Sequence, residues 1–375
     1  MTINYIICAA GKGDRFKKLM PKLSKPLIKL NSKTSLEISI ACLPIAFGDS
    51  ITIIVQREHD VKNKLEKTIS DSYPFNQINW IEIDSYTSGQ LKTSFLAKNF
   101  VKENEAIAIF NCETYFQDRS LFELMNNNKV DGLIPCFKAN GDSWSFCKVD
   151  DKNKVLEVAE KVRISEFASV GFYYFKNSKL FFELAKDELK NDGEQGEHYV
   201  IPLYKKYITA GKKILISEVD NFKPMGTPGQ LEEFWGINEK NLLEKNQLTT
   251  HTKRVIVCDL DNTITIEKSG VPYSDKEPNY KVIEKLREYK LKGYEIIINT
   301  SRRMKTHNNN EAKALAEVGE ATLAWLKRFD VPFDGLKFGK PFAENGFIVD
   351  DKAIRPSELL DFEGEKVLKM TDCAS

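Results

Sequence analysis

Two aspartates lie one residue apart at the end of an apolar run, "VIVCDLDNTIT" at residues 255 to 265. Alternate residues of a β-strand point to the same face of the sheet, so Asp259 and Asp261 share a face. Two carboxylates this close repel each other unless a positive charge lies between them. The pair therefore indicates a site that handles a metal ion or a phosphate group.

Polar residues follow three further apolar segments of the same region. The segment "EIIINT" ends on Thr300, "LKFGKP" contains Lys340, and "GFIVDD" ends on Asp350 and Asp351. The carboxyl ends of parallel strands meet in one crevice of an α/β sheet, so we expect these side chains to converge on the two aspartates.

These side chains supply the groups that phosphoryl transfer through an aspartate requires. Asp259 can attack phosphorus, Asp261 can move the proton, and Mg²⁺ can neutralise the charge between Asp259 and Asp350. Thr300 and Lys340 can bind the phosphoryl oxygens. We expect the metal ligands of this site among Asp259, Asp261, Asp350 and Asp351.

A glycine loop with flanking cations follows the first apolar segment of the chain. "NYIICAA" runs into Gly11, Gly13 and Arg15, and Lys25 lies ten residues further on. Glycines at a strand end let backbone N–H groups approach phosphate oxygens, although a tight strand-to-loop turn would use the same glycines. The spacing of the two cations favours a triphosphate site, because both would stabilise the charge on a departing pyrophosphate.

Apolar runs alternate with amphipathic stretches along the chain, which is typical of layered α/β domains. The polar segment "LTTHTK" interrupts this rhythm, and "RVIVCDL" restarts it. We therefore predict two α/β domains, residues 1–247 and residues 252–375. One helix takes up much of the interval between Thr263 and Thr300, and another does so between Thr300 and Lys340, so the second domain has no room for a large cap.

Composition excludes several classes of protein. The 55 basic and 54 acidic side chains nearly cancel, which argues against a nucleic-acid partner or an anionic membrane surface. The seven cysteines include no CxxC pair, which favours reduced thiols in the cytoplasm, and the four scattered histidines offer no zinc cluster. We expect neither export nor a membrane span, and a homo-oligomer remains open.

The first domain resembles the sugar-phosphate nucleotidyltransferases, the group of the glucose-1-phosphate thymidylyltransferases and cytidylyltransferases, over roughly residues 3 to 240. The resemblance rests on the order and spacing of seven segments: "AAGKGDRF", "SKPLIKL", "TSGQLKTSFLA", "IFNCETYF", "EVAEK", "VGFYYF" and "GTPGQLEEF". It implies a Rossmann-like fold of the GT-A-like type. It also implies Mg²⁺ as cofactor and two substrates, a nucleoside triphosphate and a sugar or polyol phosphate.

The resemblance assigns roles position by position. Gly11, Gly13 and Arg15 would hold the nucleotide phosphates, and Lys25 the reacting phosphates. The remaining positions comprise two that would contact the base, Gly89 and Gln90, and two that would hold the acceptor, Glu160 and Lys161. A solvated surface pair is the alternative for the last two residues.

The metal ligands of the first domain depart from the family pattern. Glu113 lies where the family usually has an aspartate that binds the catalytic Mg²⁺, and glutamate keeps the oxygen ligand chemistry. The family has a second aspartate near the "GTP" turn. The segment "VDNFKPMGTP" offers only Asp220, several residues early, which would otherwise be a plain turn residue.

The second domain resembles the haloacid dehalogenase phosphatases, whose four motifs appear here in order around Asp259, Thr300, Lys340 and Asp350. The segments "NTSRRM" and "LKFGKPFAENGFIVDDKAIRPSEL" are similar to the capsule-biosynthesis branch of these phosphatases. The resemblance implies a Rossmann-like phosphatase domain. Ser301, Arg302 and Arg303 could extend its phosphate contacts or be plain loop residues.

The sequence thus predicts a bifunctional enzyme that makes an activated precursor of a capsule or surface polysaccharide. CTP is the favoured nucleotide, because divergent members of the group often activate polyol or unusual sugar phosphates as CDP derivatives. Two alternatives stay open. One is a thymidylyl- or uridylyltransferase acting on a hexose 1-phosphate, and the other is a phosphatase whose first domain binds nucleotide without catalysis.

Overall fold

The computed structural model describes residues 2–191, 193, 196–247, 254–340, 342 and 354–361. Contacts between Cα atoms divide the chain into two compact units, Met1–His251 and Thr252–Ser375, which we call the first and the second unit.

Twelve strands are described in the first unit. They are β1 (Ile3–Ala9), β2 (Ser50–Gln56), β3 (Gln77–Ile83), β4 (Ala106–Asn111), β5 (Thr114–Gln117), β6 (Gly132–Lys138), β7 (Ser145–Val149), β8 (Val155–Glu160), β9 (Phe167–Ser169), β10 (Phe172–Phe175), β11 (Ile214–Glu218) and β12 (Asn221–Pro224). Ten of them form one sheet in the order β3-β2-β1-β4-β10-β6-β9-β7-β8, with β11 beside β6. β12 and β5 form a separate antiparallel ribbon.

Helices pack on both faces of this sheet. They are α1 (Asp14–Lys17), α2 (Ser35–Ala41), α3 (Val61–Ser72), α4 (Gln90–Phe95), α5 (Leu121–Met125), α6 (Ser178–Glu188), α7 (Leu203–Thr209), α8 (Pro228–Trp235) and α9 (Glu239–Gln247). Two large apolar clusters fill the interfaces, each combining strand residues with helix residues. The first unit is thus a layered α/β structure, as its alternating pattern predicts.

The parallel arrangement of β1, β2, β3 and β4 decides where the functional residues meet. Their aliphatic residues are buried on both faces of β1 and β4, which is typical of strands covered by helices on two sides. Cys8 near the end of β1 is aligned with Asn111 at the end of β4. The loops that follow these two strands therefore leave the sheet at the same edge.

The second unit has a parallel three-stranded sheet and a small antiparallel hairpin. Its described elements are β13 (Val255–Cys258), β14 (Thr265–Ile266), β15 (Glu277–Pro278), α10 (Tyr280–Leu291), β16 (Glu295–Thr300), α11 (Glu311–Arg328), β17 (Gly335–Phe338) and α12 (Pro356–Asp361). The sheet order is β13-β16-β17, and the hairpin joins β14 to β15. The predicted strand "GFIVDD" lies outside the described residues.

The expectations of reduced cysteines and of no membrane-spanning helix can be compared with the described part of the chain. Six cysteines there, Cys8, Cys42, Cys112, Cys136, Cys147 and Cys258, carry free thiols, and Cys373 lies outside that part. None of the described helices combines the length and the apolar character that crossing a membrane requires.

A substitution at Gly132 tests how tightly β6 is packed. A Cβ at this position would lie 2.8 Å from Ile214 Cδ1 and 2.9 Å from Tyr204 Cε1, both buried in the core. We expect Gly132→Ala to lower the free energy of unfolding by about 1–3 kcal/mol, because the added methyl group overpacks the core. Urea unfolding followed by circular dichroism measures this change.

Gly229 in α8 provides the matched control. Its Cβ would meet only Thr227 Oγ1, at 4.0 Å. Gly229→Ala should therefore leave stability unchanged or raise it by up to about 1 kcal/mol through helix propensity. Equal unfolding midpoints for Gly132→Ala and the parent protein would contradict the packing described for β6.

Candidate active sites

The glycine loop of the first unit lies against the stem of Lys25. Gly13 has a left-handed φ of 67°, and a Cβ there would lie 3.4 Å from Lys25 Cβ. A Cβ at Gly11 would meet no protein atom within 4 Å. Ser35 Oγ donates a hydrogen bond of 2.7 Å to the Lys25 carbonyl, which fixes the backbone beneath the loop. The loop is therefore open at Gly11 and supported at Gly13.

Arg15 and Lys25 bring two positive charges to this loop. Phe16 is buried and anchors α1, whereas the neighbouring Arg15 is exposed. Burial lowers the pKa of Lys25 to about 8, the Cys112 thiol opposes this effect, and the Arg15 guanidinium adds to it. A lysine with such a pKa is still mainly protonated at neutral pH, so both cations are available to an anionic ligand.

Glu113 faces the same loop from the end of β4. The Lys25 ammonium forms an ion pair with Glu113 Oε2, and the two side chains are 15% and 34% exposed. The Glu113 N–H donates to Asn111 Oδ1 at 3.1 Å, and the Glu113 carbonyl accepts from the Met225 N–H at 2.7 Å. The structure thus brings the glycine loop, Lys25 and Glu113 together, as the sequence predicts.

Asp220 does not join this group. The Asp220 N–H bonds to the Gln117 carbonyl at one end of the β5–β12 ribbon, whereas Met225 bonds to Glu113 at the other end. With a rise of about 3.3 Å per strand residue, these two ends are roughly 15 Å apart. Asp220 Oδ2 instead accepts from the Arg119 N–H at 3.2 Å. The structure therefore does not place Asp220 beside Glu113.

Gly89 and Gln90 lie beside the end of β1. The Cys8 thiol contacts the Gln90 carbonyl at 3.8 Å, which links β1 to the first turn of α4. Gly89 has a φ of 126°, and a Cβ there would lie 2.5 Å from the His198 carbonyl oxygen. The Gln90 side-chain nitrogen is buried and has no hydrogen-bond partner in the described part of the chain. These positions are therefore well placed to contact a ligand bound at the glycine loop.

Glu160 and Lys161 each bond to a different neighbouring side chain. Ser145 Oγ donates to the Glu160 carboxylate, and the Lys161 ammonium donates to the Tyr199 hydroxyl at 2.5 Å. Lys161 is also 3.9 Å from a carboxylate oxygen of Glu197. The segment that contains Glu197 and Tyr199 thus supports Lys161.

The segment 197–199 also reaches Gly89, a role that sequence reasoning missed. The His198 N–H donates to the Ser88 carbonyl at 2.6 Å, and the His198 ring nitrogen Nδ1 lies 2.8 Å from Ser88 Oγ. This one segment therefore touches both the predicted base contacts and the predicted acceptor contact. The only sequence signal was an isolated histidine, which offers no pattern by which to recognise such a role.

In the second unit, four predicted residues meet at the carboxyl edge of the parallel sheet. Lys340 Nζ lies 2.9 Å from Asp259 Oδ2, and Thr300 Oγ1 lies 3.5 Å from Asp261 Oδ2. The Lys340 N–H donates to the Thr300 carbonyl at 3.3 Å, which ties the loop after β17 to the end of β16. Asp350 and Asp351 lie outside the described residues.

Arg302 is committed to Asp261 and is not available to a phosphate. Its side chain is 0% exposed, and its Nε and one terminal nitrogen contact the Asp261 carboxylate at 2.9–3.0 Å. Its other terminal nitrogen donates to Thr322 Oγ1 at 3.1 Å, and the Tyr273 ring lies 4.5 Å from the guanidinium carbon. The sequence left phosphate contact and a plain loop position open for Arg302, and the structure shows a third role, which is to hold Asp261.

The family model described as nucleotidyl transferase matches residues 4–223. The chain belongs to this nucleotidyl transferase family. The match covers the glycine loop, Lys25, Glu113 and both predicted substrate segments. It ends within β12, so it does not extend to the second unit.

Individual relatives agree with this assignment. The bifunctional protein GlmU of Staphylococcus carnosus (strain TM300) is 24% identical over 276 residues, which cover 70% of this chain and 55% of that protein. The chain spans about half the length of the curated relatives that it matches.

Solved structures show the same fold for the first unit. A nucleoside-diphosphate-sugar pyrophosphorylase from Vibrio cholerae RC9 is 26% identical, with a TM-score of 0.55, and the alignment covers 61% of this chain and 98% of that one. A putative glucose-1-phosphate thymidylyltransferase from Bacillus anthracis has a TM-score of 0.54 at 20% identity, with 67% and 98% covered. The first unit is therefore an α/β nucleotidyltransferase fold of the Rossmann-like type.

Arg302 and Arg303 allow a direct comparison of a buried and an exposed ion pair. We expect Arg302→Met to lower the free energy of unfolding of the second unit by about 3 kcal/mol, because it leaves the Asp261 carboxylate without its partner. The Arg303 side chain, paired with Glu317, is 40% exposed. Arg303→Met should therefore cost at most about 1 kcal/mol.

Chemical denaturation of the full-length variants measures both changes. Equal losses of stability for the two variants would contradict the different burial of the two arginines.

Proposed function

We propose that this chain is a bifunctional enzyme with a nucleotidyltransferase domain at residues 1–247 and a phosphatase domain at residues 252–375. The two compact units of the chain support this division. The first domain would transfer a nucleotidyl group to a sugar or polyol phosphate. The convergence of the glycine loop, Lys25 and Glu113 at one edge of the sheet is the observation that carries this proposal.

The geometry supports displacement at the α-phosphorus of a nucleoside triphosphate. An oxygen of the acceptor phosphate attacks this phosphorus, the bond to the bridging oxygen of the β-phosphate breaks, and pyrophosphate leaves. The backbone of the open loop at Gly11 and Gly13 binds phosphate oxygens. Arg15 and Lys25 stabilise the negative charge that develops on the leaving group.

Glu113 fits a role as ligand of Mg²⁺. Magnesium is commonly held by one or two carboxylates together with the phosphates of the substrate. Gly226 lets the backbone approach this carboxylate closely, since a Cβ there would lie 2.9 Å from Glu113 Oε2. When bound, the metal would neutralise charge on the reacting phosphates. Glu113 would position it, and the acceptor would be held by Glu160 and Lys161.

CTP is the nucleotide that we favour, on the resemblance to cytidylyltransferases that activate polyol or unusual sugar phosphates. Pyrophosphate release from CTP, dTTP, UTP and ATP, each with a panel of sugar and polyol phosphates, tests both the activity and this preference. Highest release with dTTP or UTP and a hexose 1-phosphate would replace the favoured nucleotide. Nucleotide binding without pyrophosphate release would support a regulatory first domain.

Lys25→Ala and Arg15→Ala should each lower pyrophosphate release by a factor of about 10² or more, the usual scale for removal of a charge-stabilising donor. Lys18, an exposed lysine just after α1, supplies a control of equal charge. We expect Lys18→Ala to retain the parental rate. A parental rate for Lys25→Ala would show that another lysine, with Lys22 the next candidate, contacts the reacting phosphates.

The second domain would hydrolyse a phosphate monoester in the same biosynthetic route, that of a capsule or surface polysaccharide. The close approach of Lys340 to Asp259 and of Thr300 to Asp261 favours this activity. Asp259 attacks phosphorus, the bond to the leaving oxygen breaks, and Asp261 moves a proton to that oxygen. Water then attacks the aspartyl phosphate and gives a proton to Asp261, the bond between phosphorus and the Asp259 oxygen breaks, and inorganic phosphate leaves.

Mg²⁺ fits this second site because the donor set consists of carboxylate oxygens, the ligands that this ion prefers. Asp259 and Asp261 would take part in holding it, together with Asp350 and Asp351. The ion would reduce the repulsion between the phosphate and the carboxylates.

Asp259→Asn should abolish phosphate release from 4-nitrophenyl phosphate, because an amide cannot serve as the nucleophile. Pyrophosphate release by the first domain should continue in the same protein, since the two sites lie on separate cores. Loss of both activities in a variant with parental circular dichroism would contradict two independent sites. An Asp259→Asn variant with parental phosphate release would contradict the phosphatase assignment.

A further inference from the structure

The ion pair between Lys25 and Glu113 occupies the carboxylate that the metal needs. Glu113 Oε2 contacts the Lys25 ammonium, and no other hydrogen-bond donor of the described residues reaches this oxygen. The positive charge that balances Glu113 in the free protein is therefore that of Lys25. A divalent cation that binds Glu113 must compete with this ammonium.

The surroundings of Glu113 offer little else to a metal ion. Met225, which bonds to the Glu113 carbonyl, carries no side-chain oxygen. The Gln230 side-chain oxygen lies nearby, but it already accepts the Gly226 N–H at 2.9 Å. The Asn111 side-chain oxygen already accepts the Glu113 N–H. In the part of the chain that the structure describes, no group of three or more His, Cys, Asp or Glu residues could hold a metal ion. A single carboxylate that is already paired is a weak site for a hard cation.

Lys25 can move between two anionic partners while its backbone stays in place. Its carbonyl accepts a hydrogen bond from Ser35, and its stem packs against Gly13 of the glycine loop. The ammonium is a compact charge at the end of a flexible four-carbon stem. A triphosphate on the loop would therefore present a second, more highly charged partner within reach of the same side chain.

We propose that Lys25 is an internal counter-ion that blocks Glu113 until a triphosphate binds, so that the divalent metal enters this site only together with the nucleotide. This inference rests on the proposed nucleotidyltransferase function. The triphosphate draws the ammonium away from Glu113 and supplies phosphate oxygens as further metal ligands. Metal and nucleotide then strengthen each other's binding by the same factor, because such coupling is reciprocal.

Binding of Mn²⁺ to the full-length protein tests the proposal without any turnover. Electron paramagnetic resonance reports free Mn²⁺, and solutions that lack protein correct for Mn²⁺ held by nucleotide alone. The Mn²⁺ bound by the Glu113→Gln variant is held at other carboxylates. Subtracting it from the Mn²⁺ bound by the protein under test gives the Glu113-dependent Mn²⁺. The nucleotide probe is an α,β-methylene analogue. Its base is that of the nucleoside triphosphate that gives the highest pyrophosphate release in the panel described above.

In the parent protein, Glu113-dependent Mn²⁺ should be negligible without the analogue and should appear with it. The affinity should rise by a factor of about 5 to 150, the usual range of coupling between two sites. Without nucleotide, Lys25→Met should bind more Glu113-dependent Mn²⁺ than the parent protein does, because the counter-ion is gone. Lys18→Met loses the same charge away from Glu113 and should behave as the parent does.

Glu113-dependent binding of Mn²⁺ to the free parent protein that equals the binding by Lys25→Met would overturn the proposal while leaving the proposed function intact. Failure of the analogue to recruit Mn²⁺, together with no pyrophosphate release, would instead overturn the proposed function. If Lys25→Met does not fold, the parent protein still decides. Its affinity for the analogue must rise with Mn²⁺ by the same factor, and independence of the two ligands contradicts the proposal.

Discussion

The ion pair between Lys25 and Glu113 is the interaction around which the first site is organised. It joins two segments that are far apart in the sequence, the turn after the glycine loop and the residues after β4. Parallel pairing of β1 with β4 brings these segments to one edge of the sheet. The hydrogen bonds from Ser35 to Lys25 and from Met225 to Glu113 then hold the two backbones.

The second unit also pairs its site carboxylates with cations, and one of these cations is fixed. Two carboxylates follow β13, and each faces a cation that comes from another strand end, Asp259 with Lys340 and Asp261 with Arg302. Arg302 is fully buried and bonded to two neighbours, so it cannot exchange partners as the long stem of Lys25 allows. The difference in burial separates a structural cation from one that can reach a ligand.

Much of this arrangement could be predicted from the sequence, because it depends on local patterns. Apolar runs followed by glycine, aspartate or threonine mark strand ends, and parallel strands bring such ends together. This reasoning predicted that Asp259 and Lys340 converge, whereas Lys25 and Glu113 were assigned to one site through the family resemblance.

The features that were not predicted concern contacts that depend on long-range register and on burial. The family pattern suggests Asp220 as a metal ligand together with Glu113, yet the pairing of β12 with β5 places it at the far end of the ribbon. For Arg302, the deciding fact is burial against α11 and Tyr273, which loop composition does not reveal.

The central claim is that the glycine loop, Lys25 and Glu113 form one nucleotidyl transfer site. A crystal structure of the full chain with an α,β-methylene nucleotide and Mn²⁺, with the metal located by anomalous scattering, tests it most directly. We predict a manganese peak bonded to Glu113 and to phosphate oxygens, with the Lys25 ammonium on the triphosphate. A triphosphate bound away from the loop, with Lys25 still paired to Glu113, would contradict the account.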